Sequence, residues 1–132
     1  MVERFKTFGE NVGICFQIKD DIFDYYSNDV GKPTGSDMRE GKITIPAIYV
    51  LRESTNPLLE PIREKLSNGV ILSDEEIESL IRISVEEGGV EYAEKMIERY
   101  RAAALEVLPP DIPQDVHEAL EAYVNYVIQR KK

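Results

Sequence analysis

This chain of 132 residues has no tryptophan, one histidine and one cysteine, and each scarcity removes a class of chemistry. A single cysteine, Cys15, excludes an internal disulfide and fits a reducing, cytoplasmic setting. It stands on an apolar helix face, which makes it a core residue. His117 has no second histidine or cysteine to join it as a zinc ligand and reads as a surface or edge residue. No apolar run approaches the roughly 18 residues of a membrane span, and no secretory hydrophobic region is present. The expectation is a soluble protein with no transmembrane segment. Positive charge is scarce as well: 16 Lys and Arg face 25 Asp and Glu, for a net charge of −9. No basic run occurs before Arg130-Lys131-Lys132, so nucleic acid is excluded as a partner. Strand-like alternation, internal repeats and low-complexity tracts are all missing. What remains is an all-α reading.

The most informative stretch runs from Gly9 to Gly41, GENVGICFQIKDDIFDYYSNDVGKPTGSDMREG. Phe5, Phe8, Val12, Cys15, Phe16, Ile18, Ile22 and Phe23 recur at steps of three and four, which predicts a helix of roughly twenty residues ending near Ser27 to Asp29. On such a helix Gln17, Asp20 and Asp24 share one face, and Asp21 sits about 100° round from Asp20. Asp20 and Asp24 can then reach toward a common point, where a divalent cation would remove their repulsion. Oxygen donors without adjacent His or Cys suit Mg²⁺ or Mn²⁺, and Mg²⁺ shares its remaining positions with water and substrate phosphate. Taken alone, a DDxxD pattern equally describes a helix whose aspartates face solvent. The loop behind it carries Gly31, Pro33, Gly35 and Gly41, which let backbone approach an anion, and Lys32 supplies compact positive charge.

Further along, Thr44 to Glu53 reads as a nearly all-apolar, buried helix with Pro46 in its first turn, packed beside the carboxylate helix. Asn56-Pro57 breaks the chain before a short helix from Leu58 to Leu66 that stops at Asn68-Gly69. Ser73, Asp74, Glu75 and Glu76 form a capping-box start, followed by a stripe of Ile77, Leu80, Ile81 and Val85. Gly88-Gly89 ends that helix. The next, Val90 to Leu108, turns Tyr92, Ala93, Met96, Ile97, Tyr100, Ala104 and Leu108 inward and stops at Pro109-Pro110. A last helix, Gln114 to Arg130, spaces Val116, Leu120, Tyr123, Val124 and Val127 helically. The helices are expected to form one domain over residues 1–132.

Read together, GICFQIKDDIFDY, GKPTGSD and REGKITIP resemble the second aspartate-rich region of trans-isoprenyl diphosphate synthases, the polyprenyl synthetase family. The pieces come in order: Phe16-Gln17 ahead of the aspartates, Gly31-Lys32 in the loop, Asp37 five residues on, then Glu40-Gly41-Lys42 leading to Pro46. GGVEYAEKMIERYRAAALEVL and YVNYVIQRKK are similar to the family's last helices. The resemblance implies the C-terminal half of an isoprenoid-synthase helical bundle, a fragment of a chain about twice as long, since no second DDxxD cluster occurs here.

By that resemblance the full-length protein is a prenyltransferase that condenses isopentenyl diphosphate with an allylic diphosphate, head to tail, with Mg²⁺. Asp20 and Asp24 are the implied metal ligands, with Asp21 a third metal residue or an orienting group. Lys32 and Lys42 would contact the diphosphate, and Phe16 and Gln17 would line the pocket. Asp20, Asp24 and Lys32 are therefore the candidate catalytic set. Alone, the 132 residues are expected not to turn over, and exposed apolar stripes are expected to drive a homodimer. A non-catalytic subunit of a heteromeric synthase is an alternative that the intact Asp20, Asp24, Lys32 and Lys42 argue against. A terpene cyclase is another, and its second metal motif is of an Asn/Ser/Glu type rather than DDIFD.

Overall fold

The computed structural model describes residues 2–25, 38 and 41–129. Among these every regular element is a helix: α1 (Val2–Phe23), α2 (Ile45–Glu53), α3 (Leu59–Ser67), α4 (Asp74–Glu86), α5 (Gly89–Glu106) and α6 (Gln114–Gln129). The chain divides into two compact units. The first holds Met1–Asp20 with Glu94–Lys132, and the second Asp21–Ala93. Helices α1 and α5 each contribute to both.

In the first unit, α1, α5 and α6 surround a core of Phe8, Val12, Ala104, Leu108, Val124 and Val127, with Leu105, Leu120 and Ile128 packed on it. These positions repeat at three and four residues, so each helix commits one stripe to the core. Cys15 is fully buried, and its thiol donates to the Ile97 carbonyl at 3.5 Å. Arg101 Nε donates to Asn125 Oδ1 at 2.8 Å, tying α5 to α6. Phe5, expected on the apolar face, is 37% exposed.

The second unit is built from helix punctuation. Ser73 accepts from the Glu76 amide at 3.2 Å and Glu76 Oε1 accepts from the Ser73 amide at 2.8 Å, the reciprocal box that starts α4. Lys65 Nζ meets the same carboxylate at 2.7 Å. Asn68 caps α3, with Gly69 following at φ +70°. Arg63 donates to the carbonyls of Leu51 at 2.7 Å and Ser54 at 2.6 Å, satisfying acceptors at the end of α2.

Three expectations need correction. Helix α1 stops at Phe23 rather than near Ser27 to Asp29, because Asp24 and Tyr25 close short turns onto the Asp21 and Ile22 carbonyls at 3.2 and 3.0 Å. Helix α2 is not buried all round: Pro46, Ala47 and Val50 are inside, but Ile48 is 45% exposed. The α4 stripe runs through Ile77, Leu80, Ile83 and Ser84, leaving Val85 40% exposed. Ser84 tolerates burial because its hydroxyl donates to the Leu80 carbonyl at 2.6 Å.

Candidate functional site

The early end of α1 changes where the aspartates sit. Asp20 and Asp21 occupy its last turn, and Asp24 follows in the closing turn. All three are half-buried. The helical face expected for Gln17, Asp20 and Asp24 therefore holds for Gln17 and Asp20, while Asp24 is carried by a tighter turn past the helix. A helix C-terminus is the negative end of its dipole, and the last turn of α1 holds no basic residue. Carboxylates here oppose both the dipole and one another, each effect worth a few tenths to about 1 kcal/mol. By the dipole alone, this is the unfavourable helix end for carboxylates.

The donor set itself tests whether Mg²⁺ fits. It is oxygen only, since Cys15 is buried in the core and committed to Ile97. Among the described residues no three carboxylate, imidazole or thiol groups gather closely enough to hold an ion. The aspartates thus do not form a complete cage by themselves. Oxygen donors are the kind that Mg²⁺ takes, characteristically through one or two carboxylates with water and phosphate oxygens completing its shell.

The other predicted residues fall as follows. Phe16 is 45% exposed and Gln17 is exposed, one turn before Asp20 on α1. Lys42 is exposed, three residues ahead of α2. Lys32 and Asp37, with Gly31, Pro33 and Gly35, lie outside the described residues, as does the basic tail Arg130-Lys131-Lys132.

Sequence reasoning missed Tyr25. It is 2% exposed, and its hydroxyl lies 2.7 Å from Thr44 Oγ1 while accepting the Ala47 amide at 3.1 Å. Burial pushes this phenol well above its ordinary pKa, so it stays neutral. Thr44 is the N-cap of α2 by backbone geometry, φ −106° and ψ 175°, yet its side chain makes no capping bond. Ala47 is the third residue of α2, whose amide has no carbonyl within the helix to bond. The Tyr25 hydroxyl serves as the cap instead. An aromatic residue directly after an aspartate motif, ending an apolar run, was the available signal.

A family model described as polyprenyl synthetase matches residues 1–83. A nonaprenyl diphosphate synthase from Mycobacterium tuberculosis is 38% identical over 98% of this chain and 38% of its own length. Among solved structures, a geranylgeranyl pyrophosphate synthase from Bacteroides thetaiotaomicron is 43% identical with a TM-score of 0.84, covering 98% of this chain and 42% of that one. Another from Corynebacterium glutamicum, complexed with calcium and isoprenyl diphosphate, is 35% identical with a TM-score of 0.75, over 98% and 40%. A third, from the same organism and complexed with isoprenyl diphosphate and magnesium, is 27% identical with a TM-score of 0.77, over 98% and 38%. The chain therefore spans about two-fifths of the length of these relatives.

Proposed function

We propose, from the premise that this chain belongs to the polyprenyl synthetase family, that it is the part of a prenyltransferase carrying one of its metal and diphosphate sites. The single observation that carries the reading is the placement of Asp20, Asp21 and Asp24 at the negative end of α1. The whole protein would join isopentenyl diphosphate to an allylic diphosphate. Mg²⁺, when bound, would neutralise charge building on the departing diphosphate, and Mn²⁺ suits the same oxygen donors. Asp20 and Asp24 would ligate it, and Asp21 would ligate or orient a neighbouring lysine or water. Lys42 and Lys32 would pair with diphosphate oxygens, adding positive charge where negative charge develops. Phe16 and Gln17, exposed one turn earlier, would meet the substrate next to its diphosphate.

The reading includes a cytoplasmic protein that forms a homodimer, and the exposure of Phe16, Tyr123 and Tyr126 supports self-association. No helix among the described residues is long and apolar enough to cross a membrane. The remaining carboxylates would come from outside these 132 residues, so the isolated chain would bind diphosphate without forming product. Calorimetric titration of inorganic diphosphate into the chain, with and without Mg²⁺, tests this. Binding that requires Mg²⁺ and disappears in Asp20→Ala is the expected result. Binding that is indifferent to Mg²⁺, or that survives in Asp20→Ala, overturns the assignment.

A further inference from the structure

We propose that the Tyr25 hydroxyl is a positioning group for diphosphate binding, holding the Lys42 to Thr44 segment against the turn that carries Asp24 and acting through Lys42. This rests on the diphosphate site proposed above and deepens it.

The N-terminal cap of α2 is made in an unusual way. Helix α2 begins at Ile45 with Thr44 in N-cap geometry. A threonine there ordinarily turns its own hydroxyl onto an amide two or three residues ahead. Here that hydroxyl is engaged by Tyr25 at 2.7 Å, and Tyr25 takes the Ala47 amide at 3.1 Å. Starting α2 does not require this arrangement, because Thr44 carries the group that could do the work alone. What the arrangement adds is a link between positions 19 apart in the chain.

The two ends of that link matter chemically. On one side Tyr25 is bonded to Asp24 through the backbone. On the other, Lys42 precedes Thr44 by two residues, a span of at most about 7 Å. Tyr25 is 2% exposed and its hydroxyl is held by two partners, so the ring has no freedom to let the two segments drift. Pro46, one residue past Ile45 and itself buried, stiffens the receiving segment with a fixed φ. The exposed Lys42, followed by half-buried Ile43 and Thr44, is thereby given a defined origin relative to the aspartate turn. Such preorganisation lowers the entropy that an anion must remove when it binds.

The test is a double-mutant cycle on Mg²⁺-dependent diphosphate affinity, measured by calorimetry at a temperature where circular dichroism shows every variant fully folded. Tyr25→Phe deletes only the hydroxyl. It should weaken binding roughly five- to tenfold, the scale of coupling expected between groups in one network. In a Lys42→Ala background the same substitution should weaken binding no further. Thr44→Ser, which keeps the hydroxyl partner, should retain the affinity of the unsubstituted chain. If Tyr25→Phe binds as tightly as the parent, or loses the same factor in both backgrounds, the hydroxyl is only structural and the proposal is overturned. Should Tyr25→Phe fail to fold, Thr44→Val removes one of the two bonds and leaves the Ala47 amide on the Tyr25 hydroxyl. It should then give a smaller loss of affinity that also vanishes in the Lys42→Ala background; no loss, or the same loss in both backgrounds, overturns the proposal. An unsubstituted chain that shows no Mg²⁺-dependent binding overturns the site assignment and this role with it. A parent that binds, with an inert Tyr25, overturns this role alone.

Discussion

Two adjacent glycines separate two causes of destabilisation. Gly88 follows the α4 cap at φ +87° with open space around it, so its requirement is conformational alone. Gly89, the first residue of α5, has an ordinary backbone but no room. A Cβ there would press into the Pro46 carbonyl oxygen and sit 2.8 Å from the Ser84 carbonyl oxygen. Both are backbone atoms of packed helices, so neither can swing aside as a side chain would. Forcing an extra carbon into such a contact costs about 3 kcal/mol, the upper part of the overpacking range. Reduced freedom of the unfolded chain returns about 0.4–1 kcal/mol. Gly89→Ala should therefore lose about 2 kcal/mol net, or roughly 6–10 °C of melting temperature at this chain length.

For Gly88→Ala the left-handed penalty of about 1–2 kcal/mol is reduced by the same entropy gain, leaving about 1 kcal/mol or less. Urea midpoints of the two variants, compared at equal m, provide the measurement. Because Pro46 adjoins Ala47, relief of the Gly89 clash must also shift the start of α2. Gly89→Ala should then weaken Mg²⁺-dependent diphosphate binding, and Gly88→Ala should not. A Gly89→Ala variant as stable as Gly88→Ala refutes the close approach of α5 to α2.

Other perturbations read other parts of the fold. Replacing Arg63 by Lys should cost about 1–2 kcal/mol in urea unfolding, since a single ammonium cannot serve the Leu51 and Ser54 carbonyls together as the guanidinium does. Glu76 is held below its ordinary pKa by Lys65 first and by the Ser73 amide next. Its contribution is therefore fully present above the ordinary carboxylate range and is lost as pH falls through the lowered folded value. Lys65→Met should flatten the stability-against-pH curve on that acid limb, and an unchanged limb would count against the pairing. Burial raises the Cys15 pKa, with Glu98 adding to it, so an aromatic disulfide reagent at pH 8 should label this thiol only as fast as the chain unfolds. Rapid labelling in native buffer would contradict the packed α1 to α5 contact in the first unit.

Most of the helix pattern was legible because local chemistry decides it. Ser73 and Glu76 close a box with their own backbone, Asn68-Gly69 and Gly88 end helices by accommodating unusual dihedrals, and Pro109 cannot continue one. Periodicity placed Ile77 and Leu80 correctly but chose Val85 over Ile83 and Ser84. Hydrophobicity cannot foresee that a serine will satisfy itself on the Leu80 carbonyl and enter the core. The end of α1 escaped for a similar reason. Asp24 and Tyr25 close short turns there, and the Tyr25 hydroxyl finds partners 19 and 22 residues away, which the aromatic position after the aspartates hints at but helical periodicity does not reveal. For the candidate site, spacing and composition single out the proposed aspartates but not Tyr25, whose partners Thr44 and Ala47 lie far along the chain.

The position of the aspartates leads to a further prediction with two opposite signs. Asp20 and Asp21 are adjacent in the last turn of α1, and Asp24 follows at once. If these carboxylates are placed for a cation rather than for the fold, neutralising one should relieve repulsion and an unfavourable dipole in the metal-free chain. Asp20→Asn is nearly isosteric and should raise metal-free stability by about 0.5 kcal/mol, the scale of one such interaction. The same change should abolish the stabilisation that Mg²⁺ and diphosphate together confer on the parent, which reaches about 2.7 kcal/mol at a hundredfold excess over the dissociation constant. Thermal melts of both proteins, with and without the two ligands, distinguish the effects. Stabilisation without ligand and indifference to it would match the local conflicts expected where a chain gives up stability for binding. A metal-free Asp20→Asn less stable than the parent would mean that local partners hold this carboxylate for the fold. The helix end would then not be where Asp20 gives up stability for a cation, whatever the chain binds.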